Sequence, residues 1–261
     1  MIRTHRMTPH LFKNWEEIVR RIRGTKRILI FLDFDGTLVR IAPLPEAVTL
    51  LPETKAVLRK LGKHPKVELI VISGRRRAEL QRFIGIRNIK YMGLYGWENK
   101  NNKKLRNPER IALTQTLMAL LAELPAYPGA WIEPKNNSFS VHVKGLKIET
   151  QRELQHLVKK RVALRSETLQ AMTNLRDVEV APISIGNKGI ALKKILSKEA
   201  KREALAIYFG DDLSDEPAFA AAGKGVSVLV GRRRATRARF FLRGPAEVTA
   251  ALSRMEETIR R

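Results

Sequence analysis

The sequence predicts an α/β fold, a doubly wound parallel sheet interrupted by one inserted α/β domain, and three observations lead there. Apolar runs rich in Ile, Leu and Val recur at 28–32, 67–72, 204–209 and 226–230, the pattern of strands covered on both faces. Helix-spaced amphipathic segments alternate with them, which implies right-handed crossovers between parallel neighbours. From residue 105 to residue 182 the texture changes to short strand-like stretches beside two longer helical ones, the mark of an insertion with its own antiparallel sheet. The expected division is 1–104 with 183–261 as the core, and 105–182 as the insertion.

Residues 10–23 carry Leu11, Trp15, Ile18, Val19 and Ile22 at three- and four-residue spacings, as a helix packed on a core does, and Gly24 closes it. The strand at 27–33 ends in Asp33-Phe34-Asp35-Gly36-Thr37-Leu38, where Gly36 permits a sharp turn. Two prolines hold Ile41 to Ala47 as an extended loop, and Pro52 opens a helix that runs to Lys63. Val67 to Ile72 predicts a second strand, ending in Ser73-Gly74-Arg75 before a helix over 77–84; Tyr91 to Gly96 is expected as a third strand. In the insertion the pattern gives helices over 109–124 and 148–163 and strands near 131–135, 139–143, 169–172 and 178–180. Core texture resumes at Ile185-Gly186-Asn187-Lys188-Gly189, opening a helix over 190–196. Strands at 204–209 and 226–231 follow, the first ending in Gly210-Asp211-Asp212-Leu213-Ser214-Asp215-Glu216, and a helix from Pro245 to Met255 closes the core.

A chain of 261 residues buries a full core and has room for an insertion. No stretch approaches the roughly 18–20 apolar residues of a membrane span, and Met1 to Arg6 lacks an apolar signal-peptide core, so the cytoplasm is the expected location and no membrane partner is expected. The absence of cysteine excludes disulfides and thiolate metal sites, leaving oxygen or His to hold any metal. The formal charge of +24, from 50 Lys and Arg against 26 Asp and Glu, raises nucleic acid as a partner. Against this, the basic residues are spread along the chain, the runs Arg75–Arg77 and Arg232–Arg234 are short, and no zinc-finger, basic-zipper or RNA-recognition signature is present. A nucleic-acid surface is therefore disfavoured, and the same field steers an anionic small-molecule substrate. The oligomeric state is left open.

Four strand ends or helix starts carry polar groups: Asp33 with Asp35, Ser73 with Gly74 and Arg75, Lys188, and Asp211 with Asp215. In a doubly wound sheet these ends share one edge, where ligands bind. Taken singly, each has a plain alternative. A D-x-D pair is a common turn, S-G-R is a helix cap, Lys188 is one surface lysine among many, and residues 211–216 cap a helix. Jointly and in this order, they point to one pocket.

The string from Asp33 to Leu38 resembles the first motif of the haloacid dehalogenase superfamily of phosphotransferases. With the 41–47 loop, Ser73-Gly-Arg75, Glu133-Pro-Lys135, Val141-His-Val143, Glu179-Val-Ala-Pro182, Lys188-Gly189, the acidic run at 210–216 and Val230-Gly231, the chain resembles the trehalose-6-phosphate phosphatase family from about residue 10 to its last helix. The resemblance implies a Rossmann-like core with a mobile cap at 105–182, hinged near 99–105 and 182–187. It implies Asp33 as the nucleophile on phosphorus and Asp35 as acid and then base. Thr37 would orient Asp35, and Ser73 and the backbone near Phe34 and Asp35 would bind phosphoryl oxygens, with Arg75 after Gly74 helping to hold or cover the phosphate.

A phosphate monoester is a dianion that hydrolyses very slowly in water, so an attacking carboxylate needs its charge offset. Magnesium suits a site of hard oxygen ligands: Asp33, the backbone carbonyl of Asp35, and Asp211, with Asp215 holding a metal-bound water. Lys188 adds a fixed cation for Asp33 and a phosphoryl oxygen. By resemblance, Glu133, Lys135 and Glu179 contact the sugar; read alone, Glu133 and Lys135 are a surface cross-strand pair. The implied activity is magnesium-dependent hydrolysis of trehalose 6-phosphate. Its rivals are the same chemistry on a sucrose, mannosylglycerate or glucosylglycerol phosphate, and a basic nucleic-acid-binding module on an inactive scaffold. One departure stands out: many relatives have Gly-Asn-His-Gly where this chain has Gly93-Leu94-Tyr95-Gly96-Trp97-Glu98, so Tyr95 and Trp97 either stack on a sugar face or fill the hinge.

Overall fold

The strand β1 (Ile28–Leu32) is apolar and buried at all five positions, and the core is laid down on its two faces. Ile28, Ile30 and Leu32 join one apolar cluster, Leu29 and Phe31 another, as the two-residue period of a strand requires. The first cluster packs α1 (Trp15–Arg23), α2 (Pro52–Lys63), α3 (Arg77–Ile84) and α8 (Pro245–Arg260) on one side; α6 (Lys188–Glu199) and α7 (Glu216–Ala221) cover the other. A computed structural model describes residues 8–42, 44–98, 104–135, 137–174, 177–199 and 203–261. Chain contacts divide it into two units, Met1–Lys100 with Asn187–Arg261, and Asn101–Gly186.

In the first unit, β2 (Val67–Ile72), β3 (Ile89–Met92), β8 (Leu205–Gly210), β9 (Val226–Val230) and β10 (Phe240–Leu242) join β1 in a parallel sheet of order β10-β9-β8-β1-β2-β3. β1 pairs with β2 from Ile28↔Val67 and with β8 from Ile28↔Leu205. The chain builds outward one way from β1 to β3 and the other way from β8 to β10, so the topology reverses between β1 and β8. Burying one Leu, Ile or Phe is worth about 1.5–3 kcal/mol, so the fully buried strands β1, β8 and β9 each contribute to holding the unit together.

The expected third strand is shorter than its residues suggest. β3 stops at Met92, and residues 94–96 form a 3-10 turn in which Leu94 and Tyr95 take φ of 45° and 58°. Gly93 explains the stop: a Cβ there would lie 2.3 Å from the Arg77 backbone nitrogen, so the backbones touch and the strand cannot continue flat. Tyr95 and Trp97 are buried, the packing arm of the earlier alternative.

The second unit has an antiparallel sheet of order β4-β5-β7-β6, formed by β4 (Trp131–Pro134), β5 (Phe139–His142), β6 (Leu169–Thr173) and β7 (Asp177–Pro182). Phe139, Val141, Val178 and Val180 pack against α4 (Asn107–Glu123) and α5 (Ile148–Ala163). The alternate residues make a polar face of two cross-strand rows, Trp131–His142–Asp177 and Glu133–Ser140–Glu179. The hinge expected near 99–105 falls largely on 99–103, outside the described residues.

Candidate active site

Adjacency of β1 and β8 sets Asp33 beside the 210–216 loop, and the Asp33 N–H donates to the Phe209 carbonyl at 3.0 Å. This is where the sheet reverses, the place where open α/β sheets bind ligands. Lys188, the first residue of α6, donates to Asp33 Oδ1 and to Asp215 Oδ1, each at 2.8 Å, with all three residues buried. Asn187 Oδ1 caps that helix by accepting the Ile190 N–H at 3.0 Å. Carboxylate oxygens of Asp33, Asp211 and Asp215 lie within 4.8 Å of one another.

Burial drives the electrostatics. It pushes the Asp33 carboxyl up to about 7, against the pull of Lys188 and with a further push from Asp215 and Asp35. Burial and the neighbouring Asp33 and Asp215 raise Asp211 well above the usual carboxylate range. Burial lowers Lys188, but Asp215 and Asp33 outweigh it and hold the ammonium above its ordinary range. Three carboxylates facing one ammonium leave an excess of negative charge on hard oxygen donors, a set that fits a metal ion. Gly36 makes the approach possible: at φ 79°, a Cβ there would lie 2.0 Å from Asp211 Oδ2.

Asp215, expected to hold a metal-bound water, also places Lys188: its Oδ1 takes Lys188 and the Tyr208 hydroxyl, the latter at 2.7 Å, and its Oδ2 takes the Asp212 N–H at 2.9 Å. With about four lone-pair directions on a carboxylate, these three bonds leave one direction open. The carboxylate of Asp35 stands apart from the acidic cluster and is held by Arg75, whose Nε and Nη2 donate to its two oxygens at 2.6 and 2.7 Å. The guanidinium lies over the rings of Phe34 and Phe83, 5.5 and 5.1 Å from their centroids. Thr37 does not orient Asp35. The turn at Gly36 leaves it fully buried, and its Oγ1 has no hydrogen-bond partner among the described residues.

Ser73 is buried at the end of β2, and its Oγ accepts the Arg75 N–H at 3.2 Å. It does not cap α3, which starts at Arg77 with the Arg76 N–H on Glu79 Oε2 at 2.9 Å. The Ser73 and Arg75 carbonyls accept the Tyr95 and Leu94 N–H groups, each at 2.9 Å, so the turn after β3 fastens the Ser73-Gly74-Arg75 loop. Gly74 fits closely there, since a Cβ would stand 2.9 Å from Tyr95 Oη.

On the polar face of the second sheet, Lys135 Nζ donates to Ser140 Oγ at 2.7 Å and Glu179 Oε2 at 2.8 Å, and Ser140 Oγ donates to the same Glu179 oxygen. Burial pulls Lys135 down, but Glu179, Glu133 and Asp177 outweigh it and hold it well above its ordinary range. Glu133 accepts from His142 Nε2 at 2.9 Å, and Trp131 stacks on the His142 ring at 3.8 Å. Glu133 and Lys135 keep some exposure, while Glu179, the third residue expected at the sugar, is buried and holds Lys135. Its Oε1 is buried without a hydrogen-bond partner among the described residues.

A family model described as trehalose-phosphatase matches residues 31–246, spanning both acidic strand ends, Lys188 and the whole insertion. The chain belongs to the trehalose-phosphatase family. It is 28% identical over 269 residues to a probable trehalose-phosphate phosphatase 4 of Oryza sativa subsp. japonica, covering 97% of this chain and 72% of the relative. It is 30% identical over 243 residues to a trehalose-phosphate phosphatase of Mycobacterium marinum, covering 88% of this chain and 61% of the relative. In fold it is similar to the C-terminal domain of a C. albicans trehalose-6-phosphate phosphatase, with a TM-score of 0.82 at 21% identity over 96% of this chain and 99% of that one. With the trehalose-phosphatase family comes its enzyme class, phosphoric monoester hydrolase, on the haloacid dehalogenase fold.

Within this trehalose-phosphatase, the residues that sequence reasoning missed are Tyr208, Ser140 and His142 as members of polar networks. Tyr208 carried a signal, a hydroxyl inside an otherwise apolar strand three residues before Asp211, because a buried Tyr hydroxyl finds a partner. Among the described residues, no helix is long and apolar enough to cross a membrane.

Proposed function

We propose that this trehalose-phosphatase hydrolyses trehalose 6-phosphate through an aspartyl-phosphate on Asp33, with magnesium held by Asp33, Asp211 and the backbone carbonyl of Asp35. The observation that carries the reading is Lys188 bridging Asp33 and Asp215 inside a cluster of three carboxylates at the sheet reversal. Bound magnesium supplies charge neutralisation for the approach of a carboxylate to a phosphate dianion.

In the first step an Asp33 oxygen bonds to phosphorus as the bond from phosphorus to the sugar oxygen breaks, and Asp35 gives that oxygen a proton, releasing trehalose. In the second, Asp35 takes a proton from water as the water oxygen attacks phosphorus and the bond to Asp33 breaks, releasing phosphate. Lys188 binds a phosphoryl oxygen while Asp215 and Tyr208 fix its position. Ser73, Gly74 and Arg75 form the other side of the phosphate seat. Glu133 and Lys135 recognise sugar hydroxyls, with Glu179 aligning Lys135; a site built around such bonds rejects analogues that lack them.

A panel of trehalose, sucrose, mannosylglycerate and glucosylglycerol phosphates assayed with magnesium tests the substrate. Preference for trehalose 6-phosphate is expected, and equal turnover on all four would overturn the assignment. Asp33→Asn is expected to abolish turnover on every ester; retention of the wild-type rate would remove Asp33 as the nucleophile.

A further inference from the structure

The polar face of the second sheet holds Lys135 and Glu133 unequally. Lys135 Nζ is fixed by two partners, Ser140 Oγ at 2.7 Å and Glu179 Oε2 at 2.8 Å. Glu133 stands on β4, at the edge of the sheet, and its ion pair with Lys135 is longer, at 3.8 Å. A glutamate side chain has three rotatable bonds, and ordering its carboxylate costs entropy that a neighbour must offset. That neighbour is His142. Its Nε2 lies 2.9 Å from Glu133 Oε2, and because a carboxylate accepts, the ring nitrogen donates.

The imidazole is aimed in turn by Trp131. In the β4–β5 register His142 is opposite Trp131 and Ser140 is opposite Glu133, so the bond from His142 to Glu133 runs on the diagonal, a distance an aromatic side chain spans. The indole lies on the imidazole with ring centroids 3.8 Å apart and planes 9° from parallel. Stacking fixes the plane of the ring, and the bond to Glu133 fixes which edge it presents. Trp131 is 43% exposed and stands outside the apolar cluster under the sheet, so core packing does not account for an indole at this place. We infer that His142, held by Trp131, is a positioning residue for Glu133, and that the pair sets the affinity of the site for the sugar of its phosphate ester. This role rests on the reading of Glu133 as a sugar contact. The phosphate seat is built from residues of the other unit, so the binding of inorganic phosphate is expected to be independent of the pair.

Steady-state kinetics on trehalose 6-phosphate, with inhibition by inorganic phosphate measured alongside, test this. His142→Phe keeps a ring against Trp131 and removes the donor; KM is expected to rise about tenfold, as for a lost hydrogen bond to a charged group, with kcat within about twofold of wild type. His142→Gln carries an N–H donor of similar reach and is expected to bring KM back to within about threefold of wild type. Trp131→Leu leaves the donor but frees the ring, and a KM between those of wild type and His142→Phe is expected. The phosphate inhibition constant and the circular dichroism are expected to stay unchanged in all three. In a Glu133→Ala background His142→Phe is expected to add nothing, because the group it positions is gone. A wild-type KM in Glu133→Ala would remove the sugar contact itself and this role with it. With KM raised in Glu133→Ala, a wild-type KM in His142→Phe, the same rise with and without Glu133, or a phosphate inhibition constant that shifts in step with KM would each overturn the positioning role alone.

Discussion

Tyr208→Phe isolates one hydrogen bond at the centre of the site. The ring keeps its neighbours, Phe31 at 6.4 Å and Phe219 at 5.6 Å, so packing is conserved and only the bond to Asp215 is deleted. A hydrogen bond to a charged acceptor is worth about 1.5–3 kcal/mol, and Asp215 is wholly buried, so water does not replace it. At about 2–4 °C per kcal/mol for a unit of this size, the calorimetric transition of the core is expected to fall by about 3–12 °C. The same Asp215 oxygen places Lys188, and about 1.4 kcal/mol of that loss carried into the transition state lowers kcat about tenfold with little change in KM. Burial, Asp215 and Asp33 raise the Tyr208 pKa well above its ordinary value, so the hydroxyl remains a donor throughout the assay range and the effect is expected to be flat with pH. A variant that melts within about 1 °C of wild type and turns over at the wild-type rate would refute the role given to Tyr208.

Arg75→Lys replaces a two-pronged donor with a point charge, and steady-state kinetics are expected to show kcat/KM lower by about tenfold or more, with the fold intact. Gly36→Ala forces a methyl into the Asp211 carboxylate from a left-handed backbone; a displacement of about 1 Å costs on the order of 10²-fold in rate, to be read as turnover near 1% with unchanged circular dichroism. Burial would raise Glu109, but the Arg106 side chain and N–H and the Ser184 hydroxyl outweigh it, so its pKa lies below 4.5. A depressed carboxylate stabilises the fold above its unfolded value and loses that contribution as pH falls through its folded value. Acid unfolding of Glu109→Gln is therefore expected to lose part of its pH dependence below about pH 4.5; an acid limb superimposable on wild type would show that the pair contributes nothing.

Much of the core was legible because its central strands are apolar at most positions. β1, β2, β8 and β9 need no neighbour to be recognised, and the acids that follow β1 and β8 could be placed at one edge from topology alone. β10 went unseen because Phe240–Leu242 is three residues between Arg239 and Arg243, too short for a period to show. α6 begins earlier than the apolar spacing suggested because Asn187 caps it, which brings Lys188 into the first turn. The partner of Asp35 was beyond sequence reasoning for a different reason. Thr37 is two residues away and Arg75 forty, and only the folded turn decides that the near hydroxyl is buried while the distant guanidinium arrives.

The pairing of β1 with β8 has a consequence for biosynthesis. Ile28 and its partner Leu205 are separated by the whole insertion. At about 5–20 residues per second, β1 spends roughly 9–35 s with one edge unpaired while the rest of the chain is made. Such an edge, five apolar residues long, invites pairing with other nascent chains. The strand that carries Asp33 at its end thus keeps one edge open until β8 is made, and the order of synthesis makes the completion of this edge of the sheet a late event in the folding of the chain.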